Sequence, residues 1–254
     1  MFLVMRRKTA GMFLAGICFF GLSLGAYNFA VHPNTHNWEK QKLLFRAVKT
    51  NQKAVALTFD DGPDRVNTPA LLEVLDKHDA KATFFVIGSK AEKQPELLKK
   101  MAQAGHEIGN HSYDHAQFNG KSDDFILEEI RKANDIISDL TGQTPKFFRP
   151  PGGYLSYSMV ELARQEKLTI GYWTWKQDSK DWRNGKTPEE IAGHINNNIK
   201  PGQIIILHDG SSNGMQTVEA MSILIPELYK QGYRLVTLSE LVELEIGIMP
   251  AIRK

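Results

Sequence analysis

From residue 53 onward the chain alternates short apolar runs with amphipathic stretches, and this rhythm constrains the fold more than any other feature of its 254 residues. Seven runs read as strands: 54–59 (AVALTF), 82–87 (ATFFVI), 107–109, 147–149, 169–174, 203–207 (QIIIL) and 234–237. A run such as QIIIL offers apolar side chains to both faces, as a strand covered on both sides requires. Helical stretches between such strands imply βα units and a mostly parallel sheet. Helix punctuation agrees. Thr68-Pro69 offers a capping hydroxyl before a proline, Pro95 opens another helix, and Thr187-Pro188-Glu189-Glu190 has the form of a capping box. Gly105 and Gly232 read as helix stops. The fold class is therefore α/β, either a barrel or an open doubly wound sheet, and both carry their chemistry at the carboxyl ends of the strands.

Unusual polar groups stand where the apolar runs stop. The first run ends in Asp60-Asp61-Gly62-Pro63, the third leads to His111-Ser112-Tyr113-Asp114-His115, and the fourth to Arg149-Pro150-Pro151-Gly152-Gly153. The fifth leads to Asp178-Ser179-Lys180-Asp181-Trp182, and the sixth to His208-Asp209. Two adjacent carboxylates at the end of a buried strand are costly to desolvate unless a cation or a proton stabilises them. Asp-Gly-Pro is also ordinary turn chemistry, and Gly62-Pro63 reads that way. His111 and His115 are four apart, so a helical turn would put both imidazoles on one face, able to chelate a metal ion; a surface coincidence is the plainer alternative. Arg149 stands beside two stiffening prolines and two glycines whose backbone N–H groups can approach a ligand. His208 closes a buried strand, where a satisfied core histidine competes with a catalytic one.

The first 31 residues are of another kind. They contain Arg6, Arg7 and Lys8, no acid, and a charge-free run over 9–31. Twenty-three such residues can span an apolar layer roughly 30 Å thick. The segment reads as a membrane anchor or a signal peptide, with the positive charges holding its N-terminus inside and sending the rest outward. Residues 32–50 read as a polar stem and 51–254 as the folded domain. The three N-terminal cations account for the formal charge of +2 and leave a net −1 beyond residue 31, which removes the basic footprint a nucleic-acid partner needs. The single cysteine, Cys18, falls within the apolar run.

In this order, the five strand-end segments TFDDGP, HSYDH, RPPGG, DSKDW and LHD resemble the motifs of the polysaccharide deacetylases of carbohydrate esterase family four, which share the NodB homology domain. The resemblance spans about residues 50–240 and implies a distorted (β/α) barrel of about seven parallel strands. It implies that Asp60 is the general base and that Asp61, His111 and His115 hold a divalent metal. It implies further that Arg149 orients the base, that His208 is the general acid and that Asp178 raises the pKa of that histidine. Leu207 and Trp182 would line the pocket for the acetyl methyl. The family commonly has an aromatic residue where this chain has Gly152. The Gly152 N–H can still serve a developing oxyanion, while Tyr154 is the nearest ring that could replace the missing one.

The activity so implied is hydrolysis of N-acetyl groups from amino sugars of a glycan, giving amine and acetate. Peptidoglycan N-acetylglucosamine is the leading substrate, chitin-like oligomers the next, and an outward-facing anchor favours the cell's own wall. Zinc is the leading metal, with cobalt, manganese and nickel compatible with the same ligands. The same machinery could serve an O-acetyl xylan esterase. A membrane-tethered glycan-binding protein with a dead active site would have lost a catalytic group, and none of the five motifs has. No protein partner is implied.

Overall fold

The computed structural model describes residues 35–245. The N-terminal segment expected to export or anchor the chain lies outside them. No helix among the described residues is long and apolar enough to cross a membrane.

Seven strands form one parallel path: β1 (Leu44–Phe45), β2 (Ala54–Asp60), β3 (Thr83–Val86), β4 (Glu107–Asn110), β5 (Phe147–Phe148), β6 (Thr169–Gly171) and β7 (Ile204–His208). Their order is β1-β6-β5-β4-β3-β2-β7, and β8 (Arg234–Leu235) pairs with the first two residues of β2. The helices are α1 (His36–Lys40), α2 (Asn67–Lys77), α3 (Gly88–Lys93), α4 (Pro95–Gln103), α5 (Asp123–Thr141), α6 (Tyr157–Gln165), α7 (Pro188–Asn198), α8 (Gly214–Lys230) and α9 (Leu238–Glu243). The two ends of the path meet through isolated contacts, not a ladder. Thr174 N–H donates to the Ile204 carbonyl at 3.0 Å, Val48 N–H to the Gly202 carbonyl at 2.7 Å, and Asp178 bridges Ile206. This curved α/β sheet is consistent with a (β/α) barrel.

Strand alternation sorts every side chain to one face or the other. Val55, Leu57 and Phe59 of β2, with Ile205 and Leu207 of β7, join the large cluster under α2, α4, α7 and α8. Ala54 and Ala56, with Ile204, Phe85 and Phe147, pack on the inner face. Phe85 fills that interior between two strand glycines, since a Cβ at Gly109 or Gly171 would lie 2.7 Å from its ring. The inner face of β2 continues to Thr58 and Asp60, and that of β7 to Ile206 and His208, so the alternation that builds the core also delivers the polar groups at its top.

Two readings from sequence need correction. Residues 35–50 are not a stem from Thr35 onward: Trp38, Leu44, Phe45 and Val48 are buried, and β1 pairs with β6, a strand too short for its apolar pattern to be read from sequence. Thr68 is not a cap. It lies inside α2, fully buried, accepting from Asp64 N–H and donating to Asp209 Oδ2, while Asp64 Oδ1 accepts from Val66 and Asn67 at the helix start. Pro95 does open α4, and the Thr187–Glu190 capping box forms in both directions.

The docking of residues 44–48 can be tested at Gly202, whose φ is +78° and whose added Cβ would lie 1.9 Å from the Val48 carbonyl oxygen. Gly185 has a similar φ of +84° but no atom within 4 Å of that position. Gly185→Ala should cost about 1–2 kcal/mol from left-handed backbone strain alone. Gly202→Ala should cost about 1–3 kcal/mol more through overpacking. Urea unfolding midpoints measure both, and equal losses would refute the close approach of the two segments.

Candidate active site

The carboxyl ends of the strands surround a cleft of about 430 Å³, lined by Asp60, Asp61, His111, His115, Pro150, Gly152, Gly153, Trp173, Asp178, Trp182, Ile206, His208 and Ser211. Arg149 lies beneath it, completely buried. Its Nη1 donates to Asp60 Oδ1 at 2.7 Å and to Thr58 Oγ1 at 2.8 Å, its Nε to the Gly171 carbonyl at 2.7 Å, and its Nη2 to the Tyr172 carbonyl at 3.0 Å. The guanidinium lies 4.0 Å from the centroid of the Phe85 ring. A buried cation so fully bonded fixes the rotamer of the carboxylate it meets.

The adjacent acids have separate environments because Asp61, at φ +70°, turns the chain away from the strand. Asp60 faces Arg149. Asp61 Oδ1 lies 3.3 Å from His111 Nε2 and 3.2 Å from His115 Nε2. Burial opposes ionisation of Asp61, but the imidazole contacts and charges outweigh it and hold the carboxyl well below its usual range. From behind, Lys90 Nζ donates to the Asp61 carbonyl at 2.8 Å. Asp209 is wholly buried on the outer side, where burial pushes its carboxyl up to about 7 despite the hydroxyl of Thr68.

The segment His111–His115 is not the helical turn its spacing suggested. Ser112 and His115 adopt φ of +64° and +55°, Asn110 Oδ1 accepts from Ser112 N–H at 2.8 Å, and Glu129 Oε2 accepts from Tyr113 and Asp114 N–H at 3.1 and 2.9 Å. The loop nonetheless brings both Nε2 atoms to one point. His111 Nδ1 lies 2.7 Å from the Arg149 carbonyl oxygen, which makes that nitrogen the donor and leaves Nε2 a lone pair. One ligand atom from each of Asp61, His111 and His115 lies within 4.8 Å of the others, and the buried Asp61 Oδ1 accepts no hydrogen bond. Two nitrogens and an orphaned carboxylate oxygen fit a divalent metal.

His208 has a different partner from the one expected. Its Nδ1 lies 2.9 Å from Asp181 Oδ1, while Asp181 Oδ2 accepts from the His208 N–H at 2.7 Å and from Thr217 Oγ1 at 2.8 Å. Burial by itself would lower the imidazole pKa, but the hydrogen bond and charge of Asp181 raise it to about 9. Asp178 is on the cleft wall, its Oδ1 accepting from Lys180 N–H at 3.0 Å, and does not bond to His208.

Two further corrections concern the walls. Leu207 points outward into the large apolar cluster, and Ile206 takes its place in the cleft, because residues two apart on a strand share a face and Ile206 is two before His208. Tyr154 packs against the cluster around Trp38 and Phe148 instead of lining the cleft. Gly152, with φ +60°, and Trp182 are on the cleft wall as expected, joined by Trp173 at the end of β6.

Comparison with known proteins agrees with this geometry. The polysaccharide deacetylase family model matches residues 47–171. A peptidoglycan-N-acetylglucosamine deacetylase of Bacillus cereus is 41% identical over 195 residues, covering 77% of this chain and 91% of that protein. The crystal structure of the Bc1960 peptidoglycan N-acetylglucosamine deacetylase, in complex with 4-naphthalen-1-yl-N-oxidanyl-benzamide, superposes with a TM-score of 0.78 at 34% identity, over 83% of this chain and 97% of that one. A family 4 acetyl xylan esterase from Clostridium thermocellum, in complex with a cobalt ion, gives a TM-score of 0.69 at 39% identity, over 76% and 91%. The fold and its site define a carbohydrate-active hydrolase of α/β architecture. The chain belongs to the polysaccharide deacetylase family.

The His208–Asp181 pairing predicts distinct effects of two conservative changes. In Asp181→Asn the His208 imidazole, titrated by NMR, should fall from about 9 to its ordinary 6.5 or below, because burial then acts without the carboxylate. Asp178→Asn should leave it in place. The reverse pattern would restore Asp178 as the partner.

Proposed function

We infer that the protein removes N-acetyl groups from peptidoglycan N-acetylglucosamine in a metal-dependent hydrolysis, releasing acetate and leaving a free amine on the glycan. The observation that carries this reading is the pairing of two potential proton-transfer groups with opposite partners on one cleft, Asp60 with Arg149 and His208 with Asp181. The substrate follows from the relatives that bear peptidoglycan deacetylase names, and from an N-terminal segment read as directing the domain outside the membrane.

Asp61, His111 and His115 would hold the ion, with zinc the leading choice and cobalt, manganese or nickel alternatives. When bound it supplies Lewis acidity to the acetamide oxygen and lowers the pKa of a nearby water. Arg149 engages Oδ1 of Asp60, so Oδ2 accepts the proton of the attacking water. Gly152 donates its N–H to the oxygen that becomes negative in the tetrahedral state. Ile206 and Trp182 offer apolar surface to the acetyl methyl. His208, with Nδ1 committed to Asp181, gives its Nε2 proton to the leaving nitrogen. Asp181, not Asp178, keeps that imidazole charged.

Mass spectrometry of purified wall glycan and chitooligosaccharides after incubation with the protein and defined metals tests the substrate, and acetylated xylan in parallel tests the esterase alternative. Asp60→Asn and His208→Ala should each lower acetate release by about 10²–10⁴-fold. Undiminished release would remove their assigned roles, and full activity after exhaustive chelation would remove the metal. The pH profile should keep its activity up to about 9 and fall above it, since the acid works only while His208 is protonated. A basic limb unchanged by Asp181→Asn would assign it to another group.

A further inference from the structure

The two imidazoles read as metal ligands are not held alike. The side chain of His111 is only 4% exposed, and its Nδ1 is committed to the Arg149 carbonyl oxygen at 2.7 Å. The His115 side chain is 35% exposed, and no protein acceptor meets its Nδ1 among the described residues. A ligating histidine ordinarily donates its second ring N–H to a partner that sets the direction of the ring. His115 has no such partner here, so its direction has to come from its backbone.

That backbone is not self-supporting. Ser112 and His115 both have a left-handed φ, which strains residues that carry a Cβ. Their own N–H groups donate to near neighbours, Asn110 Oδ1 at 2.8 Å and Ser112 Oγ at 3.0 Å. The N–H groups between them, of Tyr113 and Asp114, both donate to Glu129 Oε2, at 3.1 and 2.9 Å. Glu129 is buried on α5, outside the five strand-end segments. The same helix steadies the other end of the loop, where Asn110 Nδ2 donates to the Ile130 carbonyl at 2.8 Å and to Asn134 Oδ1 at 2.7 Å. No lysine, arginine or histidine pairs with Glu129 among the described residues. A buried carboxylate without a cation is costly to desolvate, so stability alone does not account for a glutamate at this position. Its strength as an acceptor goes to the two amides that lead into His115. We infer that Glu129 is a positioning residue for the metal site: through the Tyr113 and Asp114 amides it sets the direction from which His115 meets the ion. This rests on the reading of Asp61, His111 and His115 as metal ligands. Glu129 acts on the backbone and is not itself a ligand.

Calorimetric titration of the metal-free full-length protein with Zn²⁺ and with Co²⁺, together with the visible absorption of the Co²⁺ form, tests this. Glu129→Ala should weaken binding of both ions by about tenfold or more and alter the Co²⁺ spectrum. Glu129→Gln, whose amide oxygen can still accept both N–H groups, should stay within about threefold of the wild type. A role in packing alone would lower the unfolding temperature of Glu129→Ala while leaving the affinity and spectrum of the folded protein unmoved, and that result overturns the inference. Equal weakening in the alanine and glutamine variants also overturns it, since the accepted bonds would then not be the cause. If Glu129→Ala does not fold, hydrogen exchange in the metal-free wild type decides. Tyr113 and Asp114 amides protected by about tenfold or more over an unstructured chain support the inference, and unprotected amides overturn it. All these outcomes leave the metal reading intact. A wild-type protein that binds neither ion strikes at that reading, and this inference falls with it.

Discussion

The guanidinium of Arg149 is the interaction around which the upper half of the sheet is arranged. It is completely buried, and it collects a hydroxyl from β2, a carboxylate from the same strand and the carbonyl oxygens of Gly171 and Tyr172 at the end of β6. A charge in that position is tolerable only when paired and fully bonded. Removing one partner of such a pair typically costs about 3–5 kcal/mol, because the remaining charge stays in a medium that cannot solvate it. The same bonds thus tie β2, β5 and β6 together and hold Asp60 in one orientation. Phe85 supports the guanidinium from below, and the glycines of β4 and β6 make room for that ring.

The site is built on asymmetry between groups of the same chemical type. Asp60 and Asp61 are neighbours in sequence, yet one meets a guanidinium and the other two imidazoles, and the left-handed turn at Asp61 is what separates them. Among the histidines, His115 is pushed down by burial and by the neighbouring His111, whereas His208 is raised by Asp181. A neutral imidazole can offer a lone pair to a metal, and a protonated one can donate to a departing amine. Partner choice alone gives identical side chains these opposite protonation tendencies.

Most of the sheet was legible from sequence because buried parallel strands are written as continuous apolar runs. All seven anticipated runs contain a strand, and only β1, two residues long, was missed. The site residues at strand ends were legible for the same reason. Partners that depend on loop conformation were not. Asp178 and Asp181 are both acids of one loop, and only the fold around Thr217 and the His208 backbone turns Asp181 toward the imidazole. The spacing of His111 and His115 suggested a helical face, but two left-handed residues and the Glu129 carboxylate shape a loop with the same outcome. Ile206 was recoverable. Counting two back from His208 on a strand places it in the cleft and sends Leu207 outward.

That last count shows why register carries as much of the function as residue identity does. Asp60 and His208 are direct partners in the parallel ladder between β2 and β7, so the two ionisable groups stand side by side at the same height in the sheet. Neighbouring strands lie about 4.8 Å apart, a spacing that brings two side chains of the same face onto one cleft. A slip of a single residue in β7 would put Leu207 or Asp209 over the cleft and His208 against the outer helices. The sheet resists that slip through residues remote from chemistry: Leu207 and Ile205 fill the outer apolar cluster, and the Thr58 hydroxyl donates to the Ile205 carbonyl at 2.7 Å. Asp209, the next residue, is locked on the outer side by Thr68. The outward-facing residues of β7 thereby set the position of the inward-facing imidazole, and the apolar core acts on the active site through the alternation of the strand itself.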